Sequence, residues 1–382
     1  VKIVFLSHSG FDDVFVVGSH ELARAFARMD AGIEVLHVSM PVSLVHFAFG
    51  AAPAMRRRLG RALRGPVALE RGLTEWVPVG VLPYKWTQRW PRSSRRLVGP
   101  SPAAIARHAR RFVGADVVFV DEPRMFGAVA ALRPKRIVYR PTDVYPKWRD
   151  EPRLVAWERE MVSLADVCVA TSGPVARHLA DTYGVREVHV VENGVSVPHG
   201  AERERVSTKR RHERRMVYVG AIDHRFDAEA VDALGERRRD WRIDVFGPGR
   251  ARGSGAVANV RYAGGLPARA RWEELFASDV GLLPMNGHPS NQGRSPMKIY
   301  EYLAAGLPVL ARRTEELARR AVPGVFLYDE GGQDEAMERL LHSGWRGDRA
   351  SLREFAEAHG WDRKAVELAA AAGLELHRAV CW

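Results

Sequence analysis

Apolar runs of four to seven residues alternate with helical patterns along almost the whole 382-residue chain. Runs of that length fit strands buried on both faces of a parallel sheet, and the 3.6-residue periodicity between them fits covering helices. In the first half the pattern predicts strands at Lys2–Ser7, Ile33–Val38, Asp116–Asp121, Arg136–Tyr139, Val167–Ala170 and Val188–Val191. Helices are expected at Ser19–Met29, Pro102–Phe112, Met125–Leu132, Pro152–Leu164 and Pro174–Tyr183. The alternation breaks at Pro198, and Gly200–Arg214 is charge-dense and nearly without large apolar side chains, which predicts a linker. A second series has strands at Met216–Gly220, Arg242–Gly247, Val260–Ala263, Val280–Pro284, Leu307–Ala311 and Val325–Tyr328. Its helices fall at Ala228–Leu234, Ala268–Ala277, Pro296–Ala305, Glu315–Ala321 and Glu335–His342, with two more around Ser351–His359 and Arg363–Arg378.

A single core stops growing near ~250–300 residues, so the expectation is an α/β protein of two doubly wound domains facing across a cleft. The boundaries expected are 1–198, 199–360 and a C-terminal helix in 361–382 that packs back on the first domain. In such sheets ligands bind beyond the carboxyl ends of the strands, which makes the cleft the default site. Cys168 and Cys381 are the two cysteines, too few for a disulfide framework or a cysteine zinc site. The 14 histidines show no metal-ligand spacing, and Asp12-Asp13 reads as a loop feature. No run approaches the ~20 apolar residues of a membrane span, and Val1–Ser7 reads as a strand rather than a signal sequence. A reducing cytoplasm is expected.

Formal charge is +12, and residues 51–111 alone hold 14 Lys and Arg against Glu70 and Glu75. The rest of the chain balances. A surplus confined to one segment suggests that it faces phosphate or an anionic membrane. The segment carries Trp76, Trp86 and Trp90 beside Arg89 and Arg92, and follows the mainly apolar run Pro41–Met55. Contact with the inner membrane surface or an acceptor is one reading, and a solvated face with Trp in the core is the other. No helix-turn-helix, zinc finger or RRM signature supports nucleic acid.

The most informative stretch is Pro284–Val309, where a strand ends at Pro284, a polar loop runs to Ser295 and a helix follows. Ser295 is expected as its N-cap and Pro296 as its first residue. Free N–H groups and the dipole at such a start favour an anion. Lys298, one of only seven lysines against 51 arginines, adds a charge, and Glu301 three residues on shares its face. A capped amphipathic helix with a surface Lys–Glu pair is the bland alternative. In Met216–Asp227, the strand, Gly220 and following helix make Gly220, Asp223 and Arg225 further candidates, with Asp227 as a helix cap. Phe246 and Met285 are candidates to line a base or sugar pocket, and Glu192-Asn193-Gly194-Val195 is a turn signal.

Ser295-Pro-Met297-Lys298-Ile-Tyr-Glu301-Tyr-Leu-Ala-Ala-Gly306-Leu-Pro308-Val resembles the nucleotide-sugar signature of glycosyltransferases with the GT-B fold, two Rossmann-like domains. The resemblance implies that this helix start, including Met297, holds the donor diphosphate and that Glu301 binds ribose. The glutamate that many retaining members carry eight residues before the second one is Gly293 here. Four places are similar to the membrane-associated glucuronosyltransferases typified by the xanthan-assembly enzyme. These are Leu6-Ser7-His8 with His20, the Trp- and Arg-rich segment from Trp76 to Arg96, Tyr139-Arg140-Pro-Thr-Asp143, and Ser295-Pro-Met297-Lys298. In that family the aspartate matching Asp143 is the proposed general base of an inverting transfer, and a turn or cap aspartate is the plain reading of the same residue.

The expected activity is therefore transfer of a sugar, glucuronate among the candidates, from a UDP-sugar to a lipid-diphosphate-linked or other glycan at the inner membrane face. No metal or cofactor is expected beyond the donor. A retaining transferase with a soluble acceptor and a nucleotide-sugar epimerase are the enzymatic alternatives, and a polyanion- or membrane-surface-binding protein is the non-enzymatic one.

Overall fold

The computed structural model describes residues 1–13, 16–43, 45, 53–80, 82, 100–148, 154–197, 214–249, 257–344 and 348–376. Trp86, Arg89, Trp90, Arg92, Cys381 and nearly all of the linker expected at Gly200–Arg214 lie outside these residues. The chain divides into two compact units, Val1–Glu192 with Trp361–Trp382, and Asn193–Gly360.

The first unit is built on one eight-stranded sheet. Its order is Val188–Val190, Val167–Ala170, Ile137–Tyr139, Val117–Val120, Lys2–Ser7, Glu34–Ser39, Leu73–Trp76 and Val67–Glu70. These described pairs are parallel except the last, Val67–Glu70 against Leu73–Trp76. Lys2–Ser7 and Val117–Val120 lie at the centre, and every residue after Lys2 is buried in them. This is why they read as unbroken apolar runs. Two helices of this unit, Pro102–His108 and Gly173–Tyr183, start where a serine caps them. Ser172 Oγ accepts from Val175 N ahead of Pro174, and the same helix, Gly173–Tyr183, ends on Gly184 at φ 72°. The helix Trp361–Ala371 belongs to this unit, where Arg28 pairs with Asp362 at 2.8 Å and Arg136 Nη1 donates to Ala372 O at 2.6 Å.

The structure adds elements that the apolar pattern does not predict: the helix Pro53–Arg64, the strands Val67–Glu70 and Leu73–Trp76, and the short pair Val42–Ser43 with Val79–Gly80. Glu75 is the reason. It sits wholly buried in the strand Leu73–Trp76, taking Arg61 Nε at 2.9 Å and Nη2 at 2.6 Å and the Phe11 amide at 2.7 Å. A charge at an inward position breaks the run by which a strand is recognised. The same strand corrects the expectation for Trp76. It faces neither acceptor nor membrane, but is 3% exposed, packed in the core with its ring 5.6 Å from that of His108. Part of the basic segment is likewise internal: Arg61 holds Glu75, and Arg58 holds Asp13 at 3.1 Å and Met40 O at 2.8 Å.

The second unit carries six parallel strands in the order Val260–Gly264, Trp241–Phe246, Arg214–Val219, Val280–Leu283, Val309–Arg312 and Val325–Tyr328. The order of connection reverses between Arg214–Val219 and Val280–Leu283, the switch point at which a doubly wound sheet opens a crevice. The two loops leaving that point contain Gly220 and Met285.

Two residues of the motif Tyr139–Asp143 are structural. Tyr139 OH donates to the buried Glu158 at 2.7 Å. Arg140, 1% exposed, forks onto Asp121, Nε to Oδ1 at 3.0 Å and Nη2 to Oδ2 at 2.7 Å. Arg140→Leu strands a buried carboxylate and is expected to cost roughly 3–5 kcal/mol in a denaturant titration, most of it recovered in Arg140→Leu with Asp121→Leu. Equal losses in the single and double variants would contradict this account.

Candidate functional site

At the switch point of the second unit, Tyr218, Ala221, Asp223, Arg225, Phe226, Leu283, Pro284, Met285, Arg294 and Lys298 line a solvent-open hollow of about 330 Å³. The loop after Val219 is fixed by Gly220 N donating to Phe246 O at 2.8 Å. Gly247, at φ 158°, makes that approach feasible, since a Cβ there would stand 1.6 Å from Gly220 O. The loop is also stitched to the one after Leu283. Asp227 N donates to Pro284 O at 3.0 Å, Asn286 N to Arg225 O at 3.0 Å, and Asn291 Nδ2 to Arg225 O at 3.1 Å. Asp227 caps the helix Ala228–Arg237 through Ala230 N at 2.9 Å.

Lys298 is the second residue of the helix Met297–Ala304. Its Nζ lies 5.0 Å from the centre of the Tyr218 ring and 3.4 Å from the Tyr218 hydroxyl. A Cβ on Gly220 would fall 2.0 Å from Lys298 Cε and 2.1 Å from Nζ, so the absence of a side chain there gives the amine its place. Burial lowers Lys298 to about 8, and Arg294 and Arg225 push the same way against Glu301 and Asp223. Asp223 is lowered as well, which for a carboxyl favours the charged form. Burial alone would raise it, but Arg225, donating its amide at 2.9 Å and Nε at 3.1 Å, outweighs that and holds the carboxyl at about 2. Three cations thus converge with one carboxylate that a member of the trio already engages. The arrangement can hold a multiply charged anion.

Of the residues singled out in the sequence, Asp223, Arg225, Met285 and Lys298 line this hollow, with Gly220 directly beneath the lysine. Phe246 is core at the end of its strand. Ser295 is not the helix cap. Pro296 holds that position, at φ −75° and ψ 113°, without a side-chain cap bond. Ser295 is instead buried, its Oγ accepting from Asn193 N at 3.2 Å and Arg320 Nη2 at 2.8 Å. Met297 is half-buried at the helix start, and Glu301 pairs with Arg271 at 3.0 Å. Neither is among the lining residues. Arg294 and Tyr218 are the residues that sequence reasoning missed. One arginine among 51 carries no signal, though its place directly before Ser-Pro-Met-Lys could have pointed to it.

In the first unit, Asp143 follows the carboxyl end of Ile137–Tyr139, half-buried. Its charge acts on His8, at the end of Lys2–Ser7, together with those of Glu122 and Asp121 after Val117–Val120. Burial nevertheless holds His8 below the ordinary histidine range, with Arg124 adding to the effect. Glu122 is itself kept low by Arg124 against the effect of burial. No group of three His, Cys, Asp or Glu side chains among the described residues could hold a metal ion.

Three solved structures align over nearly the whole chain. Sucrose-phosphate synthase of Thermosynechococcus elongatus has a TM-score of 0.68 at 15% identity, covering 97% of this chain and 98% of its own. HepE of Anabaena, solved in complex with UDP and glucose, has a TM-score of 0.65 at 14% identity, covering 97% and 99%. The glycosyltransferase WaaG of lipopolysaccharide biosynthesis follows at 0.57 and 15%. The fold is GT-B. Residues 16–198, which fall in the first GT-B unit apart from their last few, match the sequence model of Glycosyltransferase Family 4. TuaH of Bacillus subtilis, named for a glycosyltransferase of teichuronic acid biosynthesis, is 25% identical over 219 residues, 51% of this chain and 53% of TuaH. An exopolysaccharide phosphotransferase of Streptomyces coelicolor is 26% identical over 276 residues, 66% of this chain and 27% of that protein. The chain therefore spans about half of the first relative's length and about a quarter of the second's.

Competitive acylation of lysines across pH 6–11 checks the site without any ligand. Lys298 should gain reactivity with a midpoint near 8, below the ordinary lysine range of ~10.4. Gly220→Ala, whose new methyl meets the far end of the Lys298 side chain and stands 3.0 Å from the Tyr218 hydroxyl, should stay folded and move that midpoint upward toward the ordinary lysine range. An unchanged midpoint would dissociate Gly220 from the placement of the amine.

Proposed function

We propose that the chain is a glycosyltransferase of polysaccharide biosynthesis that draws its sugar from a nucleoside diphosphate donor, UDP-linked. The observation that carries this reading is the convergence of Arg225, Arg294 and Lys298 beside a helix start at the switch point of the second sheet. A diphosphate matches that trio in charge, and its departure from the anomeric carbon is the step at which fixed positive charge helps most. The family match of residues 16–198, the UDP complex of HepE and the polysaccharide-related names of the relatives support the same reading.

In the reaction so proposed, an acceptor hydroxyl oxygen attacks the anomeric carbon, the bond from that carbon to the diphosphate oxygen breaks, and the diphosphate leaves with the electron pair. The hydroxyl proton passes to Asp143, the carboxylate beyond the carboxyl end of Ile137–Tyr139. Lys298, Arg294 and Arg225 hold the leaving group, and Glu301 is the candidate for ribose, once its pair with Arg271 opens. An anionic donor sugar such as glucuronate and a lipid-linked glycan acceptor are the finer reading, the second resting on the basic segment. Arg56, Arg57 and Arg64 stand exposed on the helix Pro53–Arg64 and could meet an anionic surface. No helix among the described residues is long and apolar enough to cross a membrane.

Isothermal titration with UDP, and with ADP and GDP for comparison, tests the reading. UDP should bind, and Lys298→Ala should weaken it roughly 10- to 100-fold through loss of one charge-assisted bond of ~1.5–3 kcal/mol. Because the free amine titrates near 8, a bound diphosphate raises it and a proton is taken up above that pH. Affinity should then fall as pH climbs through 8, by at most tenfold per unit. Asp143→Ala should abolish sugar transfer while leaving UDP affinity within about twofold of the parent. Wild-type protein that ignores all three nucleotides would end the proposal.

A further inference from the structure

The chain passes from the first unit to the second between Glu192 and Asn193 and returns between Gly360 and Trp361. Within the second unit the two segments nearest these crossings are fastened together, with Val195 bridging Gly360 and its amide donating to His359 O at 3.1 Å. Both are also fastened to the helix that carries Lys298, by two routes. In one, Asn193 grips Ser295 twice, through N to Oγ at 3.2 Å and Nδ2 to the Ser295 carbonyl at 2.8 Å. In the other, Tyr300, one turn beyond Met297, stacks on the His359 ring with centroids 4.9 Å apart and planes 18° from parallel. Arg320 joins the routes, donating Nη2 to Ser295 Oγ at 2.8 Å and Nη1 to Tyr300 OH at 3.3 Å, while Glu316 holds its Nε at 2.6 Å. Arg320 is 4% exposed and Glu316 fully buried. None of these side chains lines the hollow.

Ser295 separates Arg294 from the helix start. An anion that draws Arg294 and Lys298 inward must pull on the peptide between them, and that peptide is what Asn193 and Arg320 hold. We propose that Ser295 is a positioning residue linking the diphosphate site to the two chain crossings, so that filling the site tightens residues 193–195 and 359–360. The inference rests on the anion-site reading above. Its chemistry is hydrogen bonding alone, with Ser295 Oγ accepting from a backbone amide and a guanidinium at once. Loss of the hydroxyl would leave two buried donors without their acceptor.

Hydrogen exchange with and without UDP or inorganic pyrophosphate, alongside titration of both, decides the matter. In the wild type, either ligand should slow exchange of the Asn193 and Val195 amides about tenfold. Ser295→Val should lose that slowing and bind about tenfold more weakly. Ser295→Thr, of the same branched shape with the hydroxyl kept, should restore both. Asn193→Ala, at a half-buried turn, gives an independent arm should the valine variant fail to fold, and should lose the slowing at Val195 with little change in melting temperature. Lys298→Met should bind roughly 10- to 100-fold more weakly while its unliganded exchange at 193–195 stays that of the parent. Slowing retained in Ser295→Val, or in Asn193→Ala where the valine variant does not fold, overturns the proposal, as does indistinguishable behaviour of the valine and threonine variants, even where Lys298→Met confirms the anion site. Wild-type protein that binds neither UDP nor pyrophosphate overturns the anion-site reading, and this inference falls with it.

Discussion

Like charges gathered at one end of a sheet repel, and the second unit gathers three. Arg225 is already engaged by Asp223, whereas Lys298 stands against a tyrosine ring and hydroxyl, and burial with Arg294 and Arg225 outweighs the pull of Glu301 and Asp223 on it. The lowered lysine pKa expresses that tension as a proton held less firmly. A folded chain keeps such an arrangement when the rest of the structure over-determines it, and unrelieved local cost of this kind concentrates at functional sites. An incoming dianion reverses the sign of the problem, because each cation that destabilised its neighbours then shares a common partner.

Backbone geometry makes the tension possible. The switch in strand order sends the loops after Val219 and Leu283 outward side by side, and Gly247, which follows Trp241–Phe246, lets its own loop touch the backbone of Gly220. The lysine fits because Gly220 has no side chain, and the loop bearing Asp223 and Arg225 cannot drift because Asn286, Asn291 and Asp227 tie it to its neighbour. On the other side of the hollow the helix start is anchored from behind by Ser295. Site residues thus sit on loops whose freedom has been removed by contacts that are themselves silent in the chemistry.

Most of the fold was legible because buried parallel strands announce themselves as apolar runs, and Lys2–Ser7, Val167–Ala170 and Val325–Tyr328 were placed to the residue. The region from Pro53 to Gly80 was not, since its helix and strands are held together by arginines and a buried glutamate, which in sequence are indistinguishable from a solvated basic face. Trp76 illustrates the same limit, for a tryptophan amid arginines looks exposed until the strand around it is known. Lys298 was legible because lysine is rare here and because it follows a strand, a polar loop and a proline. Arg294 was hidden by the abundance of its own kind. Ser295 stands out in the sequence but does other work than capping, as a serine before proline and an apolar helix looks like a cap whether or not its hydroxyl points that way.

The first unit pairs its buried charges. Arg140 with Asp121, Arg124 with Glu122 and Arg61 with Glu75 are buried pairs in which each carboxylate is met by a guanidinium fork. Pairs of this sort contribute little net stability relative to apolar replacements, but they fix geometry strictly, because slipping by one bond length exposes an uncompensated charge to a low-dielectric interior. Two of these pairs border the strand ends from which His8 and Asp143 emerge. Asp121 and Glu122 both act on His8, and Arg140 anchors the very turn that carries Asp143. Within Tyr139–Asp143 the tyrosine and arginine are locked into the core, so the chain leaves toward Asp143, three residues beyond Arg140, from a fixed point.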